Sequence, residues 1–183
     1  DIYIQQLDGN GAVQWLADGV PLCTAPGNQN YPAITPDGAG GAMSAWWDMR
    51  SGDFNVYVQH IDLSGCAQWE DNGIPICIET GIQNRVSIIN DGDLGAILVW
   101  NDNRGSPTDF DVYAQRIDRK GASLWSKNGV AISQASDTQC FPMIIGDGAG
   151  GAIITWQDGR QKDKNYWDIY AQKIHGRGSL GGN

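Results

Sequence analysis

An internal repeat constrains the fold of this 183-residue chain more than any other feature of its sequence. The segments DIYIQQLD, NVYVQHID, DVYAQRID and DIYAQKIH share a tyrosine, at spacings of 54, 56 and 57 residues. A tryptophan series and a glutamine series recur in the same order along the chain. The three series are Tyr3, Tyr57, Tyr113 and Tyr170; Trp15, Trp69 and Trp125; and Gln29, Gln83 and Gln139. A repeat of this length indicates an array of supersecondary units that stack and share a core.

Each unit contains four short runs rich in Ile, Val, Tyr and Trp, designated A to D along the chain. In the first complete unit they are YPAIT, GAMSAWW, VYVQHI and the segment from AQW to IPIC. Asp-Gly, Gly-Gly and Ser-Gly turn signals separate the runs, and no stretch has the apolar period of a helix. The pattern therefore predicts an all-β chain.

Four strands per unit at this period predict a β-propeller, in which each unit is one blade of four antiparallel strands. The chain then divides into a partial blade over 1–28, blades over 29–82 and 83–138, and a partial blade over 139–183. The rival architecture is a right-handed β-helix, although its coils are usually about half as long. Because these three and a fraction blades cannot close a ring and would expose strand edges, either a longer chain or other copies should complete the assembly.

Each unit also carries a glycine-rich turn followed by the motif W-x-D-x-R. The turn glycines, including Gly41, Gly95 and Gly151, are predicted to supply the positive φ of a tight turn between runs A and B. A catalytic centre is needed once, whereas a joint is needed in every unit, so the motif is predicted to be structural. Its Trp should pack between blades, and its Asp and Arg should pair or cap backbone carbonyls; a repeated ligand-binding role is the alternative. The motif residues are Trp46, Asp48, Arg50, Trp100, Asp102, Arg104, Trp156, Asp158 and Arg160.

Composition excludes several classes of partner. The net charge is -9 and the pI is near 4.4, with only 12 Lys and Arg, which argues against nucleic acid and anionic membranes. No apolar run is long enough to span a bilayer. The four cysteines and two histidines show no metal-binding spacing, so no metal site or cofactor is predicted. Calcium binding by Asp8 and Asn10, or by Asp91 and Asp93, is kept as a hypothesis. The alternative is that these side chains only form the hydrogen bonds of a turn.

Candidate ligand-binding residues come from the loops between runs B and C, which vary in length and content. Six residues are predicted to face a ligand, with an ordinary solvated loop as the alternative: Trp47, Asp53, Asp109, Phe110, Tyr166 and Trp167. Trp47 and Trp167 are included because they are interpreted as lying outside the repeat pattern. No nucleophile motif or isolated carboxylate pair is present, so the chain is not predicted to be an enzyme.

The units DVYAQRIDRKGASLWSKNGVAIS and FPMIIGDGAGGAIITWQDGR resemble a tandem repeat of about 50 residues found in large secreted or cell-surface bacterial proteins. The resemblance covers nearly the whole chain and implies β-propeller blades in an exported, often modular protein. It implies no common activity and no catalytic residues.

These observations together lead to a functional hypothesis. We expect a non-catalytic extracellular structural or adhesive module that self-associates by strand complementation or belongs to a longer surface protein. The alternative is a carbohydrate-binding or glycan-processing propeller, in which Trp47, Trp167 and the acidic loops between runs B and C would line the site.

Overall fold

The computed structural model describes residues 1–161 and 166–181, and those residues form 13 β-strands and no helix. This confirms the predicted all-β fold. None of the described residues belongs to a helix of the length and hydrophobicity that crossing a membrane requires. The strands are β1 Ile2–Ile4, β2 Val20–Cys23, β3 Gln29–Pro36, β4 Ala42–Asp48, β5 Asn55–Ile61, β6 Ile74–Cys77, β7 Gln83–Asn90, β8 Ala96–Asp102, β9 Asp111–Ile117, β10 Val130–Ser133, β11 Gln139–Gly146, β12 Ala152–Asp158 and β13 Asp168–Ile174.

Consecutive strands form four antiparallel sheets: β1-β2, β3-β4-β5-β6, β7-β8-β9-β10 and β11-β12-β13. The second and third strands of each larger sheet pair in the same register, so that Trp100 lies opposite Tyr113 as Trp46 lies opposite Tyr57. Because every pair of neighbouring strands is antiparallel, the parallel β-helix is excluded for the described residues.

The core lies between the sheets. In the cluster between the third and fourth sheets, Ile97 and Val112 of the third sheet pack with Ile154 and Trp156 of the fourth. Equivalent clusters fill the other two spaces between sheets. The second and third sheets therefore bury apolar side chains on both faces, and this burial is the dominant favourable contribution to folding.

A tryptophan that precedes the last strand of each unit also links neighbouring sheets. Its indole Nε1 donates a hydrogen bond to a backbone carbonyl of the next unit, and its ring packs on a glycine of that unit's turn. The three bonds are Trp15 to Leu63 (3.1 Å), Trp69 to Arg119 (3.3 Å) and Trp125 to Gly176 (3.1 Å).

The fourth strand of each unit is shorter than the sequence predicted. The expected run from AQW to IPIC contributes only β6, and Ala67 makes a single isolated bridge to Ile61. The chain cannot stay extended between them, because Asn72 and Gly73 have φ of 68° and 81°.

The glycines of the turn between the first and second strands have two different roles. Gly92 has a φ of 82°, as predicted, but Gly95 is absent from the residues with positive φ. A Cβ at Gly95 would instead lie closer than 3.0 Å to the carbonyl oxygen of Ile117. The prediction of a positive φ was therefore wrong for Gly41, Gly95 and Gly151, where the close approach of a neighbouring strand excludes a side chain.

Leu94 occupies a strained backbone position that the other units fill with Gly40 and Gly150. Its φ is 62°, and its side chain is exposed. We expect Leu94→Gly to raise the free energy of unfolding by about 0.5–1 kcal/mol, because the left-handed conformation suits glycine. Urea denaturation followed by tryptophan fluorescence measures the change. Leu94→Ala is the matched control: it keeps the Cβ, and a gain equal to that of Leu94→Gly would contradict the strain argument.

Candidate functional site

The W-x-D-x-R motif forms a closed hydrogen-bonded cluster. The buried carboxylate of Asp48 accepts bonds from Trp46 Nε1 at 2.9 Å and from two nitrogens of the Arg50 guanidinium at 2.9 and 2.6 Å. The guanidinium also lies 4.0 Å above the Tyr57 ring and donates to the carbonyl of Asn72. In this cluster the carboxylate oxygens bond to neighbouring side chains instead of facing a cavity.

Hydrogen bonding also fixes the charge of this carboxylate. Burial raises the pKa of the Asp48 carboxyl, but hydrogen bonds from Arg50 and Trp46 outweigh burial and hold the pKa below its ordinary value. The pKa of Asp158 is lowered in the same way, against burial, by Arg160 and Trp156. Such a carboxylate stays ionised at neutral pH, which is the behaviour of a structural ion pair and not of a general acid.

The cluster also joins neighbouring sheets. Arg50 donates to the sulfur of Cys23, which ends β2 of the preceding sheet, and Arg104 makes the same contact with Cys77 at 3.1 Å. All four cysteines are free thiols. Burial raises the pKa of the Cys77 thiol to about 12, so this sulfur is protonated and unreactive at neutral pH.

The candidate calcium ligands take part in turns. Asp8 Oδ1 accepts the backbone N–H groups of Asn10 and Ala12. Asp91 Oδ1 accepts those of Asp93 and Gly95, while its Oδ2 accepts Arg116 Nε at 2.8 Å. Within residues 1–161 and 166–181 there is no group of three or more side chains that could hold a metal ion.

The predicted loop residues belong to three different loops, which follow β4, β8 and β12. Asp53 and Tyr166 are exposed, and Asp109 accepts hydrogen bonds from Ser106 and Thr138. Part of the third loop, residues 162–165, lies outside the described residues. Of the six predicted residues, Trp47 lines the groove described below.

Trp167 does belong to the repeat pattern. It directly precedes β13, as Phe54 precedes β5 and Phe110 precedes β9, so an aromatic residue stands at the same register in all three units. The carbonyls of Phe54 and Phe110 accept the backbone N–H of the first residue of the next sheet, Gln83 at 2.8 Å and Gln139 at 2.6 Å. The interpretation of Trp167 as independent of the repeat was wrong.

A groove of about 560 Å³ lies along the first strands of the three larger sheets. Each of β3, β7 and β11 changes register at the same place, which marks a bulge. A bulky residue with positive φ stands at each bulge, and all three line the groove. They are Tyr31 (φ 53°), Arg85 (φ 51°) and Phe141 (φ 56°).

The groove combines aromatic faces with one cation. Tyr31 stacks on Trp47 with ring centroids 4.2 Å apart, and the Arg85 guanidinium lies 4.1 Å above the Phe141 ring. Sequence reasoning missed Tyr31, Arg85 and Phe141, because none of these residue types indicates a left-handed backbone. The available signal was their shared position, two residues after the repeated glutamine.

The lining of this groove is mainly apolar and includes Trp156 of one motif, and the groove is our candidate site for a ligand. No protein-family model matches this chain, and no curated protein shows significant similarity to it. The functional argument therefore rests on the contacts of the residues themselves.

Proposed function

We propose that this chain is a non-catalytic structural module of a β-propeller type, in which each sheet is one blade and further units of the same repeat cover its two end faces. Those units come from other copies of the chain or from more of a longer surface protein. The repeated Asp and Arg residues support a structural role, since their polar groups bond to one another. The resemblance of the units to repeats of secreted and cell-surface proteins supports an extracellular location.

One observation carries this proposal. Ile97 and Val112 of the third sheet are fully buried against the fourth sheet, with 0% exposure. Their equivalents in the fourth sheet, Ile153 and Ile169, are 41% and 71% exposed. These positions are buried in a sheet that is followed by another sheet. On the last sheet the same positions are still apolar, but they are exposed to solvent. We call the face that carries Ile153 and Ile169 the rear face.

The opposite end of the array has a matching open surface, the front face, which carries Tyr3 and Ile34. Ile34 is 60% exposed, whereas its equivalent in the third sheet, Ile88, is 6% exposed. Tyr3 is likewise exposed where Tyr57 is buried. A preceding unit would cover these residues as the second sheet covers Ile88. The two faces therefore favour head-to-tail contact between units.

Unpaired strand edges support the same proposal. In the two four-stranded sheets the third strand pairs with a fourth, but β13 pairs only with β12 among the described strands. Similarly, β1 pairs only with β2, although its equivalents β5 and β9 each pair on both sides. Open edges present backbone donors and acceptors to another chain, which is the basis of strand complementation.

Association of the purified chain tests the proposal. We expect the 19.8 kDa chain to associate reversibly with rising concentration, and Ile153→Glu to weaken that association at least about tenfold by placing a charge in the apolar contact. Light scattering coupled to size exclusion measures both.

Leu16→Glu is the matched control for that experiment. Leu16 is exposed, and the same position in the next unit is Glu70, so a charge is tolerated there. Its association should equal that of the unsubstituted chain. A chain that stays monomeric at every concentration, or equal association of the Ile153→Glu variant, would contradict the proposal.

A further inference from the structure

We propose that the groove along β3, β7 and β11 binds an acidic saccharide. A sugar ring would stack on the outer face of Tyr31, the aromatic platform, whose other face stacks on Trp47, and Arg85 would bind the carboxylate of the sugar. All of its lining residues belong to one chain, and Ile169 of the rear face is among them, so the groove adjoins the surface that the proposed association would cover.

Backbone strain is the first observation that points to a ligand. At the described left-handed positions outside the groove the chain carries Gly, Asn or Asp, with Leu94 as the exception. The groove instead carries Tyr31, Arg85 and Phe141, three bulky residues for which this conformation is unfavourable. Glycine would adopt the backbone conformation of such a bulge with less strain. Strain of this kind is typical of binding sites, where the identity of the side chain matters more than local stability.

The aromatic platform suits the face of a sugar ring. Tyr31 and Trp47 are nearly parallel, at 22°, and Tyr31 is exposed to the groove. An aromatic face carries partial negative charge and attracts the polarised C–H groups of a saccharide. The Trp47 indole N–H is buried and has no acceptor among the described residues, although buried N–H groups ordinarily find one.

Polar groups accompany the aromatic surface. Ser87, Thr155 and Gln157 line the same groove, so hydroxyl and amide groups are available beside the stacking platform. A few polar groups on an apolar lining are typical of small-molecule sites, where they fix the orientation of the ligand. This combination fits a hydroxyl-bearing ring better than a purely apolar ligand.

Charge identifies the saccharide as acidic. Arg85 is exposed, and within the described residues its guanidinium makes no ion pair and lies over the Phe141 ring. Stacking on the ring orients the planar guanidinium, which can then bind a carboxylate through two parallel hydrogen bonds.

Calorimetric titration of the full chain with tri-galacturonate and with the neutral galactose trisaccharide tests the proposal. We expect tri-galacturonate to bind, and the neutral trisaccharide to bind at least about tenfold more weakly because it lacks the carboxylates. Arg85→Asn should weaken tri-galacturonate binding at least about tenfold and remove the preference for it, while asparagine tolerates the left-handed backbone. Arg177→Asn removes an exposed arginine outside the groove and should leave binding unchanged.

Four results would overturn the proposal. They are equal binding of the two saccharides, unchanged binding by the Arg85→Asn chain, tighter binding of benzoate than of tri-galacturonate, and no binding at about 10 mM saccharide. Repeating the titration with Ile153→Glu separates this site from association, because Ile153 belongs to the rear face and does not line the groove. Loss of association with retained binding would leave the saccharide site intact.

Discussion

Replacing Asp102 with asparagine is expected to lower the free energy of unfolding by about 3 kcal/mol. Asp102 is fully buried, and its carboxylate accepts hydrogen bonds from Trp100 Nε1 and from the Arg104 guanidinium. Asparagine keeps the volume but leaves the guanidinium without its counter-charge. Guanidinium chloride denaturation at pH 7, followed by tryptophan fluorescence, measures the loss.

A control and a double variant make this prediction specific. Asp93→Asn removes an exposed carboxylate in the same unit and should change stability by less than about 0.5 kcal/mol. Combining Asp102→Asn with Arg104→Leu should be less destabilising than the sum of the two single changes, because the unpaired charge is then absent. Strict additivity would show that the two residues do not interact.

Gly95→Ala is expected to destabilise the chain by about 2–3 kcal/mol. The added methyl group would lie against the backbone carbonyl of Ile117, which cannot rotate away as a side chain could. Relief would require β9 to move relative to β8, and these strands are hydrogen-bonded over their whole length. Thermal unfolding and urea denaturation both report the change.

Gly92→Ala is the matched control for this glycine. It lies in the same turn with a φ of 82°, but nothing is within 4 Å of its added Cβ, so only the backbone conformation opposes the substitution. Its cost should be about 1 kcal/mol. If Gly92→Ala proved as destabilising as Gly95→Ala, positive φ and not close approach would explain both positions.

The strands could be predicted from the sequence because their signal is local. Alternation, β-branched residues and turn dipeptides are all encoded within each unit, and the three copies of GAMSAWW and its relatives become β4, β8 and β12. The register of the second and third strands follows from the repeat itself. The role of each turn glycine could not be predicted from the sequence. Gly92 is needed because its backbone has a positive φ, whereas Gly95 is needed because a neighbouring strand leaves no room for a side chain.

The groove could not be predicted, because its features depend on contacts between units. The left-handed backbone at Tyr31, Arg85 and Phe141 opposes local preference, so residue type gave no indication of the bulges. The stacking of Arg85 on Phe141 joins residues 56 positions apart in neighbouring sheets. Of the six predicted residues, Trp47 lines this groove. It could be singled out from the sequence because it is an additional tryptophan directly after the repeated one.

Mixing two single variants tests most directly the claim that the chain has two complementary end faces. Ile34→Glu disables the front face and Ile153→Glu disables the rear face, so each variant keeps one intact partner surface. We predict that each variant alone is monomeric and that the mixture forms a dimer with one chain of each kind, but no larger species. Native mass spectrometry of one isotope-labelled and one unlabelled variant measures this composition. A mixture that stays monomeric, or dimers formed equally by either variant alone, would contradict head-to-tail association.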